Sequence, residues 1–145
     1  MRPDVLIADQ DVELAGLYRR CLTGHGLVVE LAASGLECLG RAQQDTPRVL
    51  VLDRELPWGD ADGVLACLRE ADLPLPVILT TWEGETARRL VEPPVVLCLR
   101  KFFPLQALLE AVLLVSPRRP SDDPATEEFA VATQADPGRN ATRWW

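Results

Sequence analysis

Apolar residues recur along most of this chain in two alternating patterns. Runs of strand length are VLIA at 5–8, LVVEL at 27–31, RVLVL at 48–52, PVILT at 76–80 and VVLCL at 95–99. Several are apolar at consecutive positions, as expected of strands covered on both faces by helices. Between them the apolar spacing becomes helical. Asp11 is placed to cap a helix whose stripe is Leu14, Leu17, Tyr18 and Cys21, and Ser34 with Glu37 forms a capping box before Leu36 and Leu39. Asp60 or Asp62 starts a third helix carrying Val64, Leu65 and Leu68. A short fourth covers 83–91, and Pro104 opens a fifth over 105–115 with Leu105, Leu108, Leu109 and Val112 facing inward. Strands alternating with helices predict an α/β fold: a (βα)5 doubly wound parallel sheet.

From Ser116 the pattern stops. Pro117, Pro120, Pro124 and Pro137 interleave with charged residues, so the organisation expected is one domain over 1–115 and a flexible Pro-rich charged tail over 116–145. The closing Trp144 and Trp145 are unusual for a solvated end, and their role is left open.

Composition narrows the function classes. A net charge of −7 disfavours a nucleic-acid-binding face. The apolar stretches are too short to span a bilayer, and the amino terminus lacks a signal-peptide pattern. Four cysteines (Cys21, Cys38, Cys67, Cys98) without a CxxC pair, and the single His25, argue for reduced thiols in a cytoplasmic protein rather than a zinc site.

The candidate chemistry lies at strand ends. Asp9 follows the first strand and Asp53 the third. In strand order 2-1-3-4-5 these strands are neighbours flanking the topological switch point, where such folds bind ligands. Two carboxylates so close require a shared cation or proton. Thr80 and Thr81 end the fourth strand and Lys101 follows the fifth, which adds hydroxyls and an ammonium at the same edge. Oxygen ligands of this kind suit Mg²⁺ and a phosphoryl group.

These residues resemble the receiver domains of two-component response regulators. The matching segments are VLIADQD, GHGLVVELAASGLECL, VLVLDRELP, Asp62–Gly63, PVILTTW and LRKFF, in the family's order from residue 4 to about 115. The resemblance implies a flavodoxin-like fold. It also implies that Asp53 accepts a phosphoryl group from a histidine kinase or phosphotransfer protein and that a downstream protein partner reads the change. Thr81 and Lys101 would contact the phosphoryl group. Asp9, Asp53, Glu55 and, weakly, Gln10 would hold Mg²⁺, and Pro57 also fits the pattern.

The chain departs from the family at four places. Gln10 stands where a second acid is usual, which weakens Mg²⁺ unless Glu55 compensates. Trp82 replaces a small residue after Thr81 and is expected to lie against the site and partly shield it. Phe102 replaces the proline after Lys101, so a trans peptide is expected there. The loop at 58–61 is longer than usual, and Cys98 replaces a frequent aromatic. Three functions follow from this reading: a phosphorylatable receiver, a degenerate receiver that binds partners without phosphorylation, and a haloacid-dehalogenase-type phosphatase using Asp9 and Asp11. The first is preferred. The third has Glu13 where its motif requires threonine.

Overall fold

The computed structural model describes residues 2–57, 60–82 and 92–116. The expected helix over 83–91, residues 58 and 59 of the 58–61 loop and the tail beyond 116 lie outside the described residues. Five parallel strands form one sheet: β1 (Val5–Ala8), β2 (Val29–Ala32), β3 (Val49–Asp53), β4 (Val77–Thr81) and β5 (Val95–Arg100), in order β2-β1-β3-β4-β5. The described helices are α1 (Val12–Thr23), α2 (Gly35–Gln44), α3 (Ala61–Ala71) and α4 (Leu105–Val115). This is the doubly wound, flavodoxin-like arrangement expected from the sequence.

The alternation of side chains along each strand divides the core into two layers. Leu6, Ala8, Leu50, Leu52, Val77 and Leu79 pack with Cys38 and Ala42 of α2 and Val64, Leu65 and Leu68 of α3. Val5, Ile7, Val49, Val51, Ile78, Leu97 and Leu99 pack on the other face with Ala15, Tyr18 and Leu22 of α1 and Leu108, Leu109, Ala111 and Val112 of α4. Each fully buried aliphatic side chain contributes about 1.5–3 kcal/mol of transfer free energy, so the two layers together hold the strand ends in register.

Local capping fixes where the helices begin. Asp11 accepts the Leu14 N–H at 3.0 Å, Ser34 accepts the Glu37 N–H at 3.2 Å, and Asp60, not Asp62, caps α3 by accepting from Gly63 at 2.9 Å. The Glu37 carboxylate reaches back to the Ala33 N–H at 3.1 Å, one residue before the cap.

Three expectations are corrected. β2 begins two residues later than the apolar run and ends at Ala32. Leu36 is 70% exposed, because α2 turns Gly35, Cys38 and Ala42 inward instead. Leu17 and Leu105 are likewise exposed, while Ala15, Tyr18 and Leu22 form the inner face of α1.

Candidate functional site

The C-terminal ends of β1, β3 and β5 bring three charged groups into one buried cluster. Register pairs Ala8 with Leu52, so Asp9 and Asp53 leave adjacent strands side by side. The Lys101 ammonium lies 3.3 Å from Asp9 Oδ2 and 3.2 Å from Asp53 Oδ1. All three residues are buried, Asp53 with only 1% of its surface exposed. The lysine neutralises one of the two negative charges and leaves an excess of one.

Backbone donors fix the carboxylates. Asp9 Oδ1 accepts the Asp11 N–H at 2.8 Å, and Asp53 Oδ1 accepts the Glu55 N–H at 3.1 Å. Burial raises the Asp9 carboxyl above the usual range; the Asp11 N–H opposes this, the Asp53 charge adds to it and Lys101 again opposes it. Burial also raises Glu55, helped by the neighbouring Asp53 carboxylate. Asp53 Oδ2 and Asp9 Oδ2 are buried without a hydrogen-bond partner. Asp9 Oδ2 meets Lys101 as an ion pair.

Thr81 is fully buried, and its hydroxyl donates to Glu55 Oε1 at 3.4 Å. It thus joins the cluster through Glu55, whose backbone holds Asp53. Gln10 is exposed beside Asp9. Lys101 is anchored on both sides: its N–H donates to the Thr81 carbonyl at 2.7 Å, and the Phe103 ring stacks on Tyr18 of α1 with centroids 5.4 Å apart.

Trp82 lies against the cluster at Lys101, with 48% of its surface exposed. Its indole meets the edge of Phe102 with centroids 4.5 Å apart, and the Lys101 ammonium lies 5.5 Å from the indole centroid. The Lys101–Phe102 bond is cis, against the expectation of trans. The general preference for trans is overridden here because the contacts on either side already fix the chain. Phe102 itself is 80% exposed.

Sequence reasoning located Asp9, Asp53 and Lys101 and placed them together. It missed the aromatic pairing of Trp82 with Phe102, for which the apolar residue after Lys101 was the available signal. It also missed the stacking of Tyr18 on Phe103, because a tyrosine at helical spacing reads as ordinary core. Cys98 packs partly buried against the α2–α3 layer, and burial raises its thiol pKa. The four cysteines are free thiols, and burial pushes Cys38 up to about 12. Asp11 is spent on capping α1, which leaves the phosphatase reading without its second acid.

The doubly wound sheet thus gathers two acids and a lysine at its switch point. The chain belongs to the response regulator receiver domain family, which it matches over residues 5–113. It is 32% identical over 130 residues to the response regulator MprA of Mycobacterium leprae, covering 88% of this chain and 57% of that protein. It is 34% identical over 86 residues to MprA of Mycobacterium ulcerans, covering 59% of this chain and 37% of that protein. The chain thus spans about half or less of the length of these relatives.

Among solved structures, a putative response regulator from Chloroflexus aurantiacus superposes with a TM-score of 0.73 at 28% identity, covering 81% of this chain and 100% of that one. The receiver domain of the Francisella response regulator 1452 gives 0.73 at 25% identity, covering 79% and 96%. No helix among the described residues is long and apolar enough to cross a membrane.

Proposed function

We propose that this domain accepts a phosphoryl group on Asp53 from the phosphohistidine of a histidine kinase or phosphotransfer protein, and that the modified domain binds a downstream protein partner. The observation that carries the reading is the buried Asp53 carboxylate held by Lys101 and the Glu55 N–H through Oδ1 alone. Its second oxygen, Oδ2, has no hydrogen-bond partner and is the natural nucleophile. Attack by Oδ2 on phosphorus forms the acyl phosphate O–P bond and breaks the P–N bond, and the imidazole leaves. The Lys101 ammonium then follows the charge onto the phosphoryl oxygens. The Thr81 hydroxyl has to leave Glu55 to reach them. Reactions of this kind are self-catalysed steps of a signalling domain and not turnover of an external substrate.

The cluster suits a hard cation. It carries excess negative charge and, on Asp9 Oδ2, a buried carboxylate oxygen without a hydrogen-bond partner. No group of three His, Cys, Asp or Glu at metal-binding spacing occurs among the described residues. Asp9 and Asp53 would hold Mg²⁺, with Glu55 and the neutral Gln10 as weaker contributors, and the cation would supply charge neutralisation for the incoming phosphoryl group. Waters would complete its coordination, and binding is expected to be weak. The four free thiols and the proposed relay partners support a cytoplasmic location.

The test is to incubate the chain with a small acyl phosphate and Mg²⁺, trap the acyl phosphate with a reducing nucleophile and map the modified residue. Label on Asp53 supports the proposal, and label on Asp9 would instead favour the phosphatase chemistry. A domain that takes no label while still binding partners would be the phosphorylation-independent interaction module.

A further inference from the structure

Thr80 is a residue that the phosphoryl-transfer scheme above leaves without a role. It pairs in register with Asp53 across β3 and β4 and with Leu99 across β4 and β5. Val51, Ile78, Leu97 and Leu99 pack into the layer covered by α1 and α4. By alternation Asp53, two residues beyond Val51, and Thr80, two beyond Ile78, start from that same face. Lys101 follows Leu99 by two and starts from it as well. The β4–β5 register, which pairs Thr81 with Arg100, continues to set Lys101 level with Trp82, so to meet Asp53 on β3 the Lys101 side chain crosses β4 between Thr80 and Trp82 on that face.

The chemistry of Thr80 is out of keeping with this place. It is 1% exposed, and its hydroxyl oxygen is buried with no hydrogen-bond partner. A buried hydroxyl left unpaired is destabilising, so a partner is expected nearby. Leu99, its register partner on β5, offers no polar side chain. On the remaining side stands Asp53, whose Oδ2 is a buried acceptor that also lacks a partner. One group is a donor, the other an acceptor, and neighbouring strands lie only about 4.8 Å apart. Rotation about the Thr80 Cα–Cβ bond carries the hydroxyl among three staggered positions, one of which faces β3.

We propose that Thr80 is a positioning residue for the phospho-acceptor: its hydroxyl donates to Asp53 Oδ2 and holds that oxygen in line for attack. This rests on the assignment of Asp53 as acceptor. A carboxylate oxygen has a second lone pair, so the hydrogen bond and the attack on phosphorus use different sites on one atom. Lys101 and the Glu55 N–H fix Oδ1, Thr80 fixes Oδ2, and the carboxylate plane is then held at both ends.

The test has two arms on the full chain. In the first, phosphorylation by a small acyl phosphate with Mg²⁺ is timed for wild type, Thr80→Val and Thr80→Ser, with thermal melts confirming folding. Valine keeps the shape and removes the hydroxyl; it is expected to slow phosphorylation about five- to tenfold, the scale of one lost hydrogen bond. Serine is expected to restore the rate to within about twofold of wild type. An unchanged or faster valine variant overturns the proposal, and so does a serine variant as slow as valine. The second arm needs no phosphorylation. The Thr80 hydroxyl proton should appear in NMR spectra as a slowly exchanging resonance that shifts in Asp53→Asn. A rapidly exchanging proton, or one indifferent to Asp53, would overturn the proposal even if the chain took no phosphate. A protected, Asp53-sensitive proton in a chain that takes none would uphold the hydrogen bond and reject the acceptor role.

Discussion

The Lys101 ammonium stands 3.2 Å from Asp53 Oδ1 in a pocket where both side chains are almost wholly buried. An ion pair at this depth is a poor source of net stability, but removing one partner leaves the other charge unpaired in a medium that solvates it badly. Here the imbalance is larger than for an isolated pair, because Asp9 shares the same lysine.

Lys101→Met is therefore expected to destabilise the domain by about 3–5 kcal/mol, read as a lowered urea midpoint at neutral pH. The double variant Lys101→Met with Asp9→Asn should recover part of the loss, because one of the two uncompensated carboxylates is gone. A midpoint unchanged in the single variant would mean that the lysine does not balance these acids.

Asp9→Asn alone is expected to stabilise the protein. The folded Asp9 carboxyl titrates above its unfolded value, chiefly because it is buried. The folded state thus binds the proton more tightly, and stability falls as pH rises through the interval between the unfolded value and the raised folded one. At neutral pH the ionised carboxylate carries that cost, and the amide does not. Thermal melts across the acidic range should show the wild type losing stability over this interval relative to the variant. Parallel curves would contradict the shift.

Gln10 is the next lever. It is exposed one residue after Asp9, where an aspartate would add a hard anionic ligand without burying a new charge. Gln10→Asp should tighten Mg²⁺ by roughly an order of magnitude, measured by titration calorimetry, and should speed phosphorylation in proportion at subsaturating metal. Equal affinity in both proteins would show that the neutral amide does not limit binding.

Trp82 supports a different expectation from the one its bulk suggested. Its indole is half exposed and braced by Phe102, with Lys101 beside it, so it borders the cluster at the lysine rather than covering Asp53. Trp82→Ala should loosen the lysine and admit water, shortening the lifetime of the phosphorylated form more than it changes the rate of its formation. Equal acceleration of both steps would favour a shield over Asp53, and no change in either would leave the aromatic pair without a part in the chemistry.

The strands and the site's three charges were legible in the sequence because they rest on short-range signals, whereas the strand order was taken from the doubly wound fold class that the alternation implies. Apolar runs of strand length mark the sheet, and a charged residue just past each run can only lie at its edge. Side-chain direction was less legible. Leu36 fits a helical stripe as well as Cys38 does, but residues two apart point to opposite sides of a helix, and only one of them can face the sheet. The resemblance to receiver domains placed Trp82 beside Asp53, yet the partner that holds it, Phe102, is adjacent to Lys101 and distant in sequence. Thr80 was grouped with Thr81 at a strand end; its separation from Thr81 by face appears only when the register of β3, β4 and β5 is known.

The central claim is that Asp53 is the phospho-acceptor, and intact-mass spectrometry tests it most directly. Wild type and Asp53→Ala are incubated with a small acyl phosphate and Mg²⁺ and sampled over time. The wild type should gain the mass of one phosphoryl group, the gain should disappear on chelation of the metal, and Asp53→Ala should show none. An equal gain in Asp53→Ala, or no gain in a folded wild type supplied with both donor and metal, would contradict the account.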